Sequence, residues 1–275
     1  MKLLSLVTPL LAALLAGTAQ AGIAGAGSHG LLPRNVSAIE ESDAVAAGIN
    51  CDKRVARLNK GDCNYIKSKG FGSQGINAVK ANGKAWIGTD GPYTFKFTNH
   101  ASKPQPAGVV LVLWLMNNDK DYGASFVNAR RPYITVSLPK QGDNVVISVG
   151  ANQIGGFAAM TNHGTGLSQY GQVSNTWGEF NTKKKGNTFD ISREVNMKGN
   201  AMSIKAGNGC VANMGTCVFK CTNGAQSCGN AGEYKIFNCA APNPGAQHAP
   251  DGANGGCSGW GNSGRGHLDV QLMRG

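Results

Sequence analysis

Charge is scarce in this chain of 275 residues: Asp, Glu, Lys and Arg together make up 15% of it. Beside a hydrophobic content of 41%, that excludes wholesale disorder, which combines few apolar residues with high net charge. Long apolar runs are missing too. Beyond the first 21 residues no stretch approaches the roughly 18 needed to cross a bilayer, and the longest, Val109–Met116, suits a buried strand. The 40 glycines follow no three-residue period, which excludes collagen and favours a turn-rich β protein. No Gly-x-Ser-x-Gly elbow, His-Glu-x-x-His pair or phosphate-cradling loop occurs. Gly70-Phe71-Gly72-Ser73-Gln74-Gly75 spells the dinucleotide pattern, but it neither follows a strand nor opens a helix. No Cys-x-x-Cys pair and no finger-spaced histidine points to zinc, and neither metal nor cofactor is expected.

What is present begins with an address. Lys2, the apolar run Leu3–Ala16 and the small-x-small signal Ala19-Gln20-Ala21 read as a secretory signal peptide over residues 1–21. Residues 22–36 form either a flexible leader or a pro-segment cut after Arg34. Asn35-Val36-Ser37 makes Asn35 a glycan acceptor on an exported chain. Export also sets the redox setting of the eight cysteines Cys51, Cys63, Cys210, Cys217, Cys221, Cys228, Cys239 and Cys257. In an oxidising compartment thiols pair, and proximity suggests Cys51 with Cys63 and three further bridges among the last six. Each bridge would contribute about 2–4 kcal/mol. The expected location is extracellular, with no transmembrane segment in the mature protein.

Three textures follow. Residues 37–84 form a basic segment with one disulfide and a helical character, with Ser37 as a cap for Glu40 and Glu41 and Gly48 as a stop. The charged stretch between Cys51 and Cys63 carries Lys53, Arg54, Arg57 and Lys60, and reads as a solvated loop. Residues 85–275 read as one β body whose cystine-rich part starts near residue 207. Alternation in Tyr93–Thr98 marks a half-buried strand, and Val109–Met116 marks one buried on both faces. Further strands are expected at Tyr133–Leu138 and Asn144–Val149, joined as a hairpin through Pro139–Asp143, and at Phe157–Met160, Thr188–Ser192, Met202–Ile204, Tyr234–Cys239 and Leu268–Met273. Turn signals at roughly 8–12-residue spacing predict an all-β, antiparallel two-sheet sandwich with a disulfide-rich C-terminal extension. The Gly- and Asn-rich stretch Asn243–Gly266 must take its order from Cys257 and from packing of Trp260.

Carboxylates offer the best candidate chemistry. Glu179, Asp190 and Glu194 cluster in a strand-rich region, and a glycan hydrolase needs two such groups, one protonated and one ionised. The competing reading is an ion-pair network with Arg193, Lys183 or Lys184. The histidines His29, His100, His163, His248 and His267 show no spacing that selects a catalytic pair. Trp177, beside Glu179, and Trp260 are the tryptophans that could stack on a sugar ring, whereas Trp114 lies in an apolar run and reads as core.

Glu179-Phe180, Phe189-Asp190-Ile191-Ser192 and Met202-Ser203-Ile204, with Pro92-Tyr93-Thr94 and Val109–Trp114 upstream, resemble the core of thaumatin-like proteins over residues 85–240. The resemblance extends to small fungal secreted proteins with a truncated form of this pattern, several treated as candidate effectors. It implies a two-sheet sandwich with a disulfide-rich lobe beside a cleft, in which Glu179 matches the cleft glutamate. That family has more cysteines and an acidic cleft, and its Val-Asp-Gly aspartate falls at Val195-Asn196, with Glu194 one position away.

The expectation is therefore a secreted, non-catalytic binding protein of fungal effector or virulence type, acting as a monomer on a host protein or a cell-wall polysaccharide. One alternative is a β-glucan hydrolase using Glu179 with Asp190 or Glu194. Another is a basic antimicrobial or toxin-like protein acting on anionic membranes. A net charge of +11, spread between strands, favours salt-sensitive attraction to negative surfaces, while nucleic acid is not an expected partner.

Overall fold

The computed structural model describes residues 48–102, 107–116 and 131–274. The signal-peptide reading, the leader, Asn35, His29 and the Ser37 cap lie outside them.

One helix is described, α1 (Lys60–Ser68). Asn59 caps it: its backbone is extended, and its side chain accepts from the Asp62 amide at 2.8 Å. Asp62 sits in the positive first turn and Lys67 in the negative last turn. Gly70, at φ +78°, lets the chain leave. Asp62, Cys63, Tyr65 and Ile66 form the buried face, spaced as one side of a helix requires. The part of the charged loop read between Cys51 and Cys63 thus ends as the first turn of a helix.

Among the described residues fifteen strands follow: β1 (Ala85–Ile87), β2 (Tyr93–Asn99), β3 (Val109–Leu115), β4 (Ile134–Leu138), β5 (Asn144–Val149), β6 (Ile154–Thr161), β7 (Trp177–Asn181), β8 (Thr188–Ser192), β9 (Met202–Ala206), β10 (Val211–Ala212), β11 (Val218–Cys221), β12 (Tyr234–Phe237), β13 (Ala246–His248), β14 (Gly255–Ser258) and β15 (Gly266–Leu272). They build two sheets. The smaller runs β1-β5-β2-β15-β9-β10, and the larger runs β12-β11-β8-β7-β6-β3-β4, with β14 paired to β8 and β13 to β14. The fold is an all-β sandwich. Its sheets are mixed rather than purely antiparallel, because β15 lies parallel to β2 and β11 parallel to β8.

A second correction concerns Pro139–Asp143. β4 belongs to the larger sheet and β5 to the smaller, so this turn carries the chain across the sandwich and closes no hairpin. The turn at Lys183–Lys185, by contrast, does join an antiparallel pair, β7 with β8.

Strand alternation explains the core. Phe95 and Phe97 point inward from β2 and meet Phe180 and Phe157 of the opposite sheet edge-on, at centroid distances of 4.7 and 4.8 Å. β3 is buried along its whole length. Its odd residues join this inner core, while Val110, Val112 and Trp114 face outward into a second core under Ile49, Leu58, Tyr65, Ile66 and Phe71. The segment carrying α1 therefore roofs the outer face of the larger sheet. Trp260 packs on Tyr93, Phe95 and Phe189, and Cys257 is bonded to Cys210, so the Gly-rich tail is pinned at both points. The other bridges are Cys51–Cys63, Cys217–Cys239 and Cys221–Cys228.

Candidate functional site

The β7–β8 hairpin brings the predicted carboxylates together. Phe180, Phe189 and Ile191 belong to the inner core, so by period-two alternation Glu179, Asp190 and Ser192 project from the outer face. In the register of the hairpin Glu179 is opposite Asp190. Glu194 follows two residues beyond β8. Its amide donates to Ser192 Oγ at 3.3 Å, its carboxylate accepts from that hydroxyl at 3.1 Å, and its carbonyl accepts from the Cys228 amide at 2.9 Å. The Cys221–Cys228 loop thereby clamps the third acid.

All three are buried: Glu179, Asp190 and Glu194 are 3%, 1% and 0% exposed. Neither carboxylate oxygen of Asp190 has a hydrogen-bond partner among the described residues. Among the described residues no ion pair joins Arg193, Lys183 or Lys184 to these acids, and Arg193 donates to the Met197 carbonyl. Burial pushes the Glu179 carboxyl well above the usual range, reinforced by the charges of Asp190 and Glu194. Asp190 is raised in the same way by burial and then by Glu194. The Tyr234 phenol is pushed up to about 12, first by burial and then by Glu194, Glu179 and Asp251. Burial and mutual repulsion thus favour the protonated forms of Glu179 and Asp190.

It is also closed. A hydrolase must place its two carboxyls on either side of a scissile bond, and these present almost no surface to a substrate. Nor does the trio make a compact cation cradle. Among the described residues, one group of metal-capable side chains brings its ligand atoms within 4.8 Å of one another, Cys210, Cys217 and Cys257, and all three are disulfide-bonded.

The tryptophans named as sugar platforms are also interior. Trp177 is 3% exposed, stacks on Trp114 at 4.7 Å and donates its indole N–H to the Val173 carbonyl. Trp260 is 4% exposed. The histidines fall on separate elements: His267 meets Thr94, and His248 meets the Cys239 carbonyl. His163 Nε2 lies 2.7 Å from Asp62 Oδ1 and its ring stacks on Tyr65. Sequence reasoning missed this Asp62–His163 clasp. Its one local signal was Asn59, three residues ahead of Asp62, which marks a helix start; the histidine comes from about a hundred residues away.

A family model described as Allergen Asp f 4-like domain matches residues 88–235, more than half of the chain. No curated protein matches it. The thaumatin-like resemblance is thereby overturned. Its motifs are two to four residues long, and Glu-Phe or Phe-Asp-Ile-Ser is what any strand with one buried face and one polar face can spell.

Proposed function

Starting from a chain that belongs to the Allergen Asp f 4-like domain family, we propose an extracellular binding protein of fungal effector type that works without catalysis. The observation that carries this reading is the closure of the acid cluster: the groups a glycan hydrolase would need are interior. Export is supported by the leader Met1–Ala21 and by the four disulfides, which suit an oxidising setting. Removing Lys2 with that leader leaves a net charge of +10, and Lys53, Arg54, Arg57, Lys60 and Lys67 are exposed on the segment that roofs the larger sheet. A basic, disulfide-anchored face of this kind favours anionic host or wall polymers. Among the described residues no helix is long and apolar enough to cross a membrane.

The test is retention of the purified protein on insoluble wall polymers, run beside a reducing-sugar assay on β-glucan. Salt-sensitive retention without sugar release is the expected result. Sugar release abolished by Glu179→Gln overturns the binding reading in favour of hydrolysis, and salt-sensitive leakage of anionic vesicles without polymer retention moves it to membrane action.

A further inference from the structure

A pocket of about 450 Å³ opens where the basic segment meets the turn between the two sheets, lined by Arg57, Asn59, Ser137, Asp143 and Asn144. Its walls are bonded to each other. The Ser137 amide donates to the Arg57 carbonyl at 2.9 Å, the Asn59 amide to Ser137 Oγ at 2.9 Å, and Arg57 Nη2 to the Asn144 carbonyl at 3.0 Å. Arg57 adopts φ +66°, a left-handed conformation that costs a side-chain-bearing residue about 1–2 kcal/mol. Those bonds hold it there, so the pocket is preformed.

Its charges are the informative feature. Arg57 and Asp143 line one cavity, yet no ion pair joins them. Of the five N–H donors on the guanidinium, one is spent on Asn144; of the two Asp143 oxygens, Oδ2 accepts from the Lys140 amide at 2.8 Å and Oδ1 carries no bond. A donor fork for a carboxylate and an acceptor for hydroxyls therefore share a space large enough for a sugar unit. Leu58 and Pro139 add apolar surface that suits the C–H face of a ring. A compact multivalent anion such as phosphate would be repelled by Asp143. A nucleobase would find no aromatic lining on which to stack.

We propose that this pocket binds acidic saccharides: a uronate carboxylate on Arg57, with ring hydroxyls on Asp143 and the side-chain amide of Asn144. The inference rests on the binding-protein reading and names the class of polymer it would recognise.

The test is calorimetric titration with trigalacturonate, with the neutral trisaccharide cellotriose and free glycine as comparisons. Trigalacturonate is expected to bind in preference to both. Arg57→Asn, which tolerates the left-handed backbone, should weaken it about tenfold or more. Asp143→Asn, which keeps an acceptor for the Lys140 amide, should weaken it less. Equal binding of cellotriose, preference for glycine, or an unchanged affinity in Arg57→Asn overturns the site. The two readings separate on wall polymer: retention that survives Arg57→Asn sinks the pocket and leaves the binding protein, whereas trigalacturonate binding without polymer retention does the reverse.

Discussion

Glu179 faces Asp190 across the β7–β8 ladder, a pair of carboxyls placed opposite each other in a buried setting. Like charges directly opposite on two strands destabilise a sheet, so this hairpin is stable to the extent that the pair stays protonated. In the unfolded chain such groups titrate near about 4. The folded values of both are raised, so the folded state keeps protons that the unfolded state has lost. Below pH ~4 both states are protonated and the contribution is complete; it then declines as pH rises toward the folded values. Unfolding in denaturant should accordingly show stability falling from pH 4 to pH 8. Asp190→Asn should flatten that decline and leave the variant the more stable protein at pH 8, by about 1 kcal/mol or more. A wild-type stability that does not fall between pH 4 and pH 8 would show that the pair is ionised in the native state.

Trp177 separates a sugar platform from a core residue. It is stacked on Trp114 beneath the segment that carries α1, and its N–H is spent on Val173. Trp177→Ala should cost about 3–5 kcal/mol, visible as a large fall in the thermal midpoint. An unchanged midpoint with lost saccharide binding would return it to the surface.

Much of the architecture was legible because burial writes itself into local pattern. Tyr93–Phe97 alternate since one face of β2 meets the core, and Val109–Leu115 do not since both faces of β3 are covered. Asn144–Val149 and Thr188–Ser192 match the expected bounds. Pairing partners were not legible. The parallel contacts of β15 with β2 and of β11 with β8, and the crossing at Pro139–Asp143, depend on segments far apart in the chain. The acids could be named from sequence, but their closure could not, because it depends on what packs over the outer face of the larger sheet.

Gly155 shows the same limit and supplies a prediction. Glycine in this chain reads as a turn signal, and the expected strand began at Phe157; β6 in fact starts at Ile154 and runs through Gly155 and Gly156. There the missing side chain is a packing requirement. A methyl group on Gly155 would overlap the Trp114 carbonyl oxygen and come 2.6 Å from Phe180 Cζ. Gly155→Ala should therefore destabilise by about 1–3 kcal/mol in chemical denaturation despite the better strand propensity of alanine. A neutral result would mean that β3 and β6 can part at this register.

The disulfides differ in what they constrain. Cys51–Cys63 spans 12 residues and Cys210–Cys257 spans 47. If each acts by restricting the unfolded chain, the longer loop contributes about 1 kcal/mol more. Replacing Cys210 and Cys257 by serine should lower the unfolding free energy by that margin beyond the same change at Cys51 and Cys63, measured by urea titration. The shorter bridge has a local effect instead. It fixes the stretch holding Arg57 against Ser137 and Asn144, so its removal should weaken trigalacturonate binding while the Cys210–Cys257 variant, where folded, binds as before. The opposite ranking in stability would place the stabilisation in native-state contacts around the shorter bridge rather than in the entropy of the unfolded chain.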